Sequence, residues 1–117
     1  MEEQLVMLPW DFIHLKCGFS HTSPSGKPYN PEMTIKEGME GAYYDCPEDH
    51  CTNRIPPLVY EYLLQESMSL INEGLAKRGY CWKKKVARQY YEFEIYNYKP
   101  GEKISIGIRN LSVRKRG

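Results

Sequence analysis

No run in this 117-residue chain approaches the roughly 20 apolar residues that a membrane-spanning helix needs. The start, Met1-Glu2-Glu3-Gln4, lacks the cationic stretch and apolar core of a secretory leader, so an intracellular, cytoplasmic protein without a membrane partner is expected. No Gly-rich phosphate loop of the Walker type occurs, which gives an ATPase role no support. The chain also lacks a convincing Ser/His/Asp or Cys/His grouping for nucleophilic catalysis, and the expectation is a non-enzymatic protein. A small metal-dependent nuclease using His50 and Asn53 is the enzymatic alternative. With four cysteines, a reducing compartment favours thiols or metal ligands, although three disulfide pairings are compatible with the count.

What is present is concentrated in two short knuckles, Cys17-Gly18-Phe19-Ser20-His21 and Cys46-Pro47-Glu48-Asp49-His50-Cys51. Each opens with a cysteine followed four residues later by a histidine. Two such pairs, converging from different parts of the chain, can enclose one tetrahedral zinc ion. The ligand set expected for a structural Zn2+ is Cys17, His21, Cys46 and Cys51. A thiolate neutralises the cation better than an imidazole, so Cys51 is preferred to its neighbour His50, the reserve ligand. The competing arrangement makes Cys17 and Cys46 core thiols at strand ends, with His21 and His50 ordinary loop residues. Cys81 stands apart and reads as a buried strand thiol.

Periodicity organises the rest into a single α+β domain over 1–117. Leu5 to Cys17 is extended, with Ile13, Leu15 and Cys17 on one face, and Pro9 sets the residues before it apart as an edge or arm. The Ser, Pro and Gly content of 22–41 marks a loop, with one turn of helix near Met33–Met39, and Ala42–Asp45 is a short strand entering the second knuckle. A central amphipathic helix is expected over 57–78, opened by Pro56 and Pro57, striped by Val59, Tyr62, Leu63, Leu70, Ile71 and Leu75, and stopped at Gly79. Beyond it the period becomes two. A turn centred on Pro100 and Gly101 pairs Ile95 with Ile106, Phe93 with Ile108 and Glu92 with Arg109. Residues 80–113 thus form an antiparallel hairpin, or a three-stranded meander if Tyr80–Arg88 adds a strand, and 114–117 is a flexible basic tail.

A net charge of +1 conceals a strong asymmetry: residues 1–76 hold four Lys/Arg against twelve Asp/Glu, and residues 77–117 hold twelve against three. The two parts either complement each other within the fold or present the basic end to an acidic partner. Lys83, Lys84, Lys85 and Arg88 interleave with Trp82, Tyr90 and Tyr91, a mixture suited to phosphates and bases. Arg109, Arg114, Lys115 and Arg116 extend the candidate DNA- or RNA-binding set. Trp82 either stacks on a base or packs against the helix beneath the lysines. The alternative class is an adaptor or inhibitor of a DNA- or RNA-handling enzyme, docking through the tyrosine-rich sheet or the acidic front of Glu37, Glu40, Asp45, Glu48 and Asp49.

The segments Phe12-Ile13-His14-Leu15-Lys16-Cys17-Gly18 and Ala42-Tyr43-Tyr44-Asp45-Cys46-Pro47 resemble the zinc ribbon family, in which two metal-binding turns each follow a short strand. The resemblance covers about residues 12–55 and implies a zinc-ribbon-like amino-terminal part, 1–55, rather than an activity. Tyr44-Asp45-Cys46-Pro47 with the later Gly79-Tyr80-Cys81-Trp82 is also similar to ribbon inserts of phage terminase large subunits, which implies a phage or mobile-element origin.

Overall fold

The computed structural model describes residues 13–39, 41–49 and 51–112. The expected arm before Ile13, His50 and the basic tail lie outside the described residues. The fold is mixed α+β. Its largest sheet uses strands from both ends of the chain: β1 (Ile13–Cys17), β7 (Cys81–Val86), β8 (Gln89–Asn97) and β9 (Ile104–Asn110), in the order β1-β9-β8-β7. β1 runs parallel to β9, from Ile13 opposite Ile104 to Cys17 opposite Ile108, and the other pairs are antiparallel. Two smaller sheets carry the knuckle region. One joins β2 (His21–Thr22) to β3 (Pro28–Tyr29), and the other orders β4 (Thr34–Gly38), β5 (Gly41–Asp45) and β6 (Arg54–Ile55) sequentially.

Alternation decides which face of the large sheet is apolar. Ile13, Leu15 and Cys17 of β1, Ile104, Ile106 and Ile108 of β9, and Tyr91, Phe93 and Ile95 of β8 are all buried. Helix α1 (Pro57–Asn72) contributes Val59, Tyr60, Leu63, Ser67 and Leu70 to the core. The buried Ser67 hydroxyl donates to the Leu63 carbonyl one turn back, at 2.8 Å, so it adds no unsatisfied polar atom. The β8–β9 register matches the expected one at Ile95–Ile106, Phe93–Ile108 and Glu92–Arg109, with an irregularity between Ile95 and Asn97.

Three local expectations differ from the structure. The helix ends at Asn72 rather than Arg78, because Gly74 adopts φ +74°. The Gly74 N–H donates to the Ile71 carbonyl at 3.1 Å and the Leu75 N–H to the Leu70 carbonyl at 2.9 Å, the paired bonds of a Schellman stop. Leu75 therefore falls past the helix and is exposed. The helical turn expected near Met33–Met39 is instead strand β4, paired with β5 from Thr34–Asp45 to Gly38–Gly41. Cross-strand hydrogen bonding supplies what this fully exposed segment cannot get from burial.

Cys81, expected to be buried, is exposed. Its neighbour Trp82 points to the core, stacked on Phe93 at 5.0 Å between ring centroids, which turns Cys81 to the opposite face. The two adjacent residues should consequently respond differently to substitution. Trp82→Ala is expected to cost about 3 kcal/mol of folding stability, and Cys81→Ser less than about 0.5 kcal/mol. Urea denaturation of both variants checks this, and equal losses would contradict the assignment of faces.

Candidate metal centre

Cys17 is the last residue of β1, and its side chain shares the buried face with Ile13 and Leu15. The chain then turns away at Gly18, whose N–H donates to the Ile108 carbonyl at 2.7 Å. A Cβ at Gly18 would lie 2.8 Å from the Ile108 carbonyl carbon and oxygen, so only glycine allows this approach without displacing β9. The Asn30 side-chain amide donates to the carbonyls of Cys17 and Phe19, both at 3.0 Å, and Arg109 Nη1 donates to the Gly18 carbonyl at 2.7 Å. These bonds fix the first knuckle and present His21 at the start of β2.

The second knuckle leaves β5 at Asp45. Cys46 is buried, the Cys51 N–H donates to the Glu48 carbonyl at 3.3 Å, and the Cys46 N–H donates to the Asn53 carbonyl at 3.3 Å as the loop closes. The Tyr29 hydroxyl donates to Glu48 and ties β3 to this loop. That bond pushes the Tyr29 phenol up to about 12.

Cys17, His21, Cys46 and Cys51 converge, with their ligand atoms all within 4.8 Å of one another. His21 Nε2 lies 3.6 Å from Cys17 Sγ and 3.5 Å from Cys46 Sγ, and the sulfurs of Cys17 and Cys51 are 3.9 Å apart. A tetrahedral ion with Zn–S of about 2.3 Å and Zn–N of about 2.0–2.1 Å requires sulfur–sulfur separations of about 3.8 Å and sulfur–nitrogen separations of about 3.6 Å. Those three separations fit, and the remaining pairs lie within 4.8 Å. All four cysteines are free, and the Cys17–Cys51 separation is far from the roughly 2.05 Å of a disulfide.

Burial raises the Cys17 thiol above its ordinary value, with the neighbouring Cys51 adding to the rise and the Asn53 hydrogen bond opposing it. Burial raises Cys46 strongly as well. Without a cation these sulfurs hold their protons, and a soft divalent cation would displace them.

No family model, curated protein or solved structure matches this chain.

The nucleic-acid candidates are divided. Lys83, Lys84 and Lys85 are exposed on β7, and Arg88 is exposed in the two-residue turn to β8, where Ala87 and Arg88 have φ 50° and 70°. Tyr90 is 53% exposed, with Lys85 Nζ 5.4 Å from its ring centroid. Lys84 reaches the other way, 5.6 Å from the Tyr62 ring. Trp82 is packed on Phe93, as in the core-packing alternative, and its Nε1 is buried. Arg109 is held by Glu92 Oε1, at 3.0 Å from Nε and 2.6 Å from Nη2, besides its bond to Gly18. Arg114, Lys115 and Arg116 lie outside the described residues. Asn53, a candidate nuclease group in the sequence, is fully buried beneath the centre. The supporting roles of Asn30, Asn53 and Arg109 have no signature in linear spacing, because their partners are 11 to 91 residues away.

Loading the metal-free chain with one equivalent of zinc near neutral pH should release at least two protons, one each from the Cys17 and Cys46 thiols. Calorimetry in buffers of different ionisation enthalpy reads that number. Cys46→Ser should abolish tight uptake while Cys81→Ser leaves it unchanged. Equal zinc affinity in the two variants would exclude this ligand set.

Proposed function

We propose that the chain is a non-enzymatic, zinc-stabilised nucleic-acid-binding protein. In this reading the ion is held in a ribbon-like closed site by Cys17, His21, Cys46 and Cys51, and the β7–β8 hairpin makes the contact. Three thiolates and an imidazole favour a soft, tetrahedral ion, and four protein ligands leave no position for a reactive water. The metal contributes folding energy because the ligands are not assembled in the unfolded chain.

The observation that carries the binding role is the exposure of Lys83, Lys85, Arg88 and Tyr90 along one hairpin. No acidic residue occurs from Lys83 to Tyr91, and none of these three cations forms an ion pair with a described carboxylate. The other large charges are partly consumed inside the fold: Asp45 lies 3.4 Å from Lys36 and 4.0 Å from Arg54, and Glu92 holds Arg109. Part of the basic excess of the carboxyl-terminal segment is thus exposed on the hairpin, and Lys77, Arg78, Lys99 and Lys103 are exposed elsewhere. Exposed cations on a β-hairpin beside an exposed ring suit a phosphate backbone with stacked bases.

The exposure of Ile35 and of Met39 on the β4–β5 hairpin favours a second reading, a protein-docking adaptor. Salt titration separates the two. Binding of the zinc-loaded chain to single-stranded DNA or RNA should weaken steeply between 50 and 200 mM salt, on the order of tenfold or more for a few phosphate contacts. A K83A/K85A/R88A variant should bind more weakly and show a shallower salt slope, by up to about three phosphate contacts. Absence of binding to either nucleic acid, or an unchanged slope in the triple variant, would remove the hairpin reading and leave the adaptor.

A further inference from the structure

Asn53 has no exposed surface, yet it carries a full amide beside the cluster. Its Nδ2 lies 3.2 Å from Cys17 Sγ and 2.8 Å from the Ile108 carbonyl oxygen, while its Oδ1 accepts the Asn110 N–H at 2.9 Å. The two backbone partners settle which way the amide faces. Ile108 offers only an acceptor there and Asn110 only a donor, so the atom against the Cys17 sulfur is the nitrogen, with two hydrogens for two acceptors.

We infer that Asn53 is the outer-shell positioning residue of the metal centre, donating an N–H···S bond to the Cys17 thiolate while pinning the second knuckle to β9. This deepens the zinc reading and rests on it. A sulfur ligand in an apolar core carries negative charge that water cannot solvate. A fixed N–H aimed at it stabilises that charge and holds the sulfur in its coordinating direction. The backbone carbonyl of Asn53, two residues after Cys51, accepts the Cys46 N–H and closes the same loop, so ligand placement and ligand charge are set by one residue.

The competing role is a purely structural tether between the loop and β9. That role uses the Ile108 and Asn110 bonds alone and makes no demand on the sulfur. The two are separated by a signal that passes through the N–H···S bond. The nitrogen-15-labelled full chain, loaded with cadmium-113, should show a scalar coupling between the metal nucleus and an Asn53 side-chain amide proton. Cadmium bound with couplings to the Cys17, Cys46 and Cys51 methylene protons, but none to Asn53, overturns the inference and leaves the metal reading standing. Failure of the chain to bind cadmium overturns both.

Asn53→Asp supplies a second readout, because it keeps the acceptor for Asn110 and replaces the donor with a carboxylate facing sulfur. Cobalt affinity should fall about 10–100-fold, with the sulfur-to-cobalt charge-transfer band moved to lower energy. Lower folding stability with unchanged cobalt affinity and band position identifies a tether only and overturns the assignment. If this variant does not fold, the cadmium coupling in the unaltered chain decides.

Discussion

The approach of Gly18 to the backbone of Ile108 is the contact on which the knuckle region depends. β1 could pair with β9 and still send its following residue into solvent, and Cys17 would then end a strand without reaching anything. Instead the ladder is extended by one bond past the strand end, and the side-chain-free Gly18 lets the chain bend around β9. Cys17 is thereby fixed on the core side, opposite Ile108, where the loop from Cys46 to Asn53 can reach it. A bulkier residue at position 18 would widen the gap between the strands, and the Asn53 bonds to Cys17 and to Ile108 could not both be kept.

The charges follow the same geometry. Arg109 lies on the face of β9 opposite its buried isoleucines, and its guanidinium bridges Glu92 of β8 to the Gly18 carbonyl of the first knuckle. A half-buried arginine with a carboxylate and a carbonyl as acceptors is well matched to its fork of donors, and it braces the turn that Gly18 makes. Removing Glu92 would leave that guanidinium without its countercharge beside the Phe19 ring, 6.0 Å away, so the two members act as a unit. The asymmetry of charge along the chain thus has an internal part that braces the first knuckle and an external part that includes the hairpin lysines.

How much of this could be read in the linear chain depends on the range of the interaction responsible. The β8–β9 register was legible because a period of two and a Pro-Gly turn are local, and together they allow one pairing that puts isoleucines opposite Phe93 and Ile95. The convergence of Cys17, His21, Cys46 and Cys51 was legible for a chemical reason, since few side chains ligate soft metals and these occur as two close pairs. The helix stop was misplaced because Gly74 and Gly79 are both credible terminators, and the choice is made by the Leu70 and Ile71 carbonyls finding partners at Gly74 and Leu75. The parallel pairing of β1 with β9 had no local signature at all. Ile13 and Ile104 are linked only through the tertiary fold, and an alternating apolar strand reads the same whichever neighbour it acquires.

That long-range pairing also explains why a metal centre suits this chain better than a cluster of free thiols. Closing a strand near the amino terminus onto one near the carboxyl terminus orders a long intervening chain, and the entropy of that closure must be offset by contacts formed at the junction. Along the strands that offset comes from the buried Ile13, Leu15, Ile104, Ile106 and Ile108, but the knuckle turns beyond them offer fewer apolar groups: the first supplies the half-buried Phe19, and the second is largely polar, with Glu48, Asp49 and Thr52 between and beside its cysteines. Three thiol side chains and an imidazole without an ion add little to such turns, and burying their polar atoms away from water is unfavourable unless each finds a partner. One ion bound by all four would convert the same groups into strong bonds between β1, β2 and the loop after β5, adding stabilisation at turns that have little hydrophobic contact of their own.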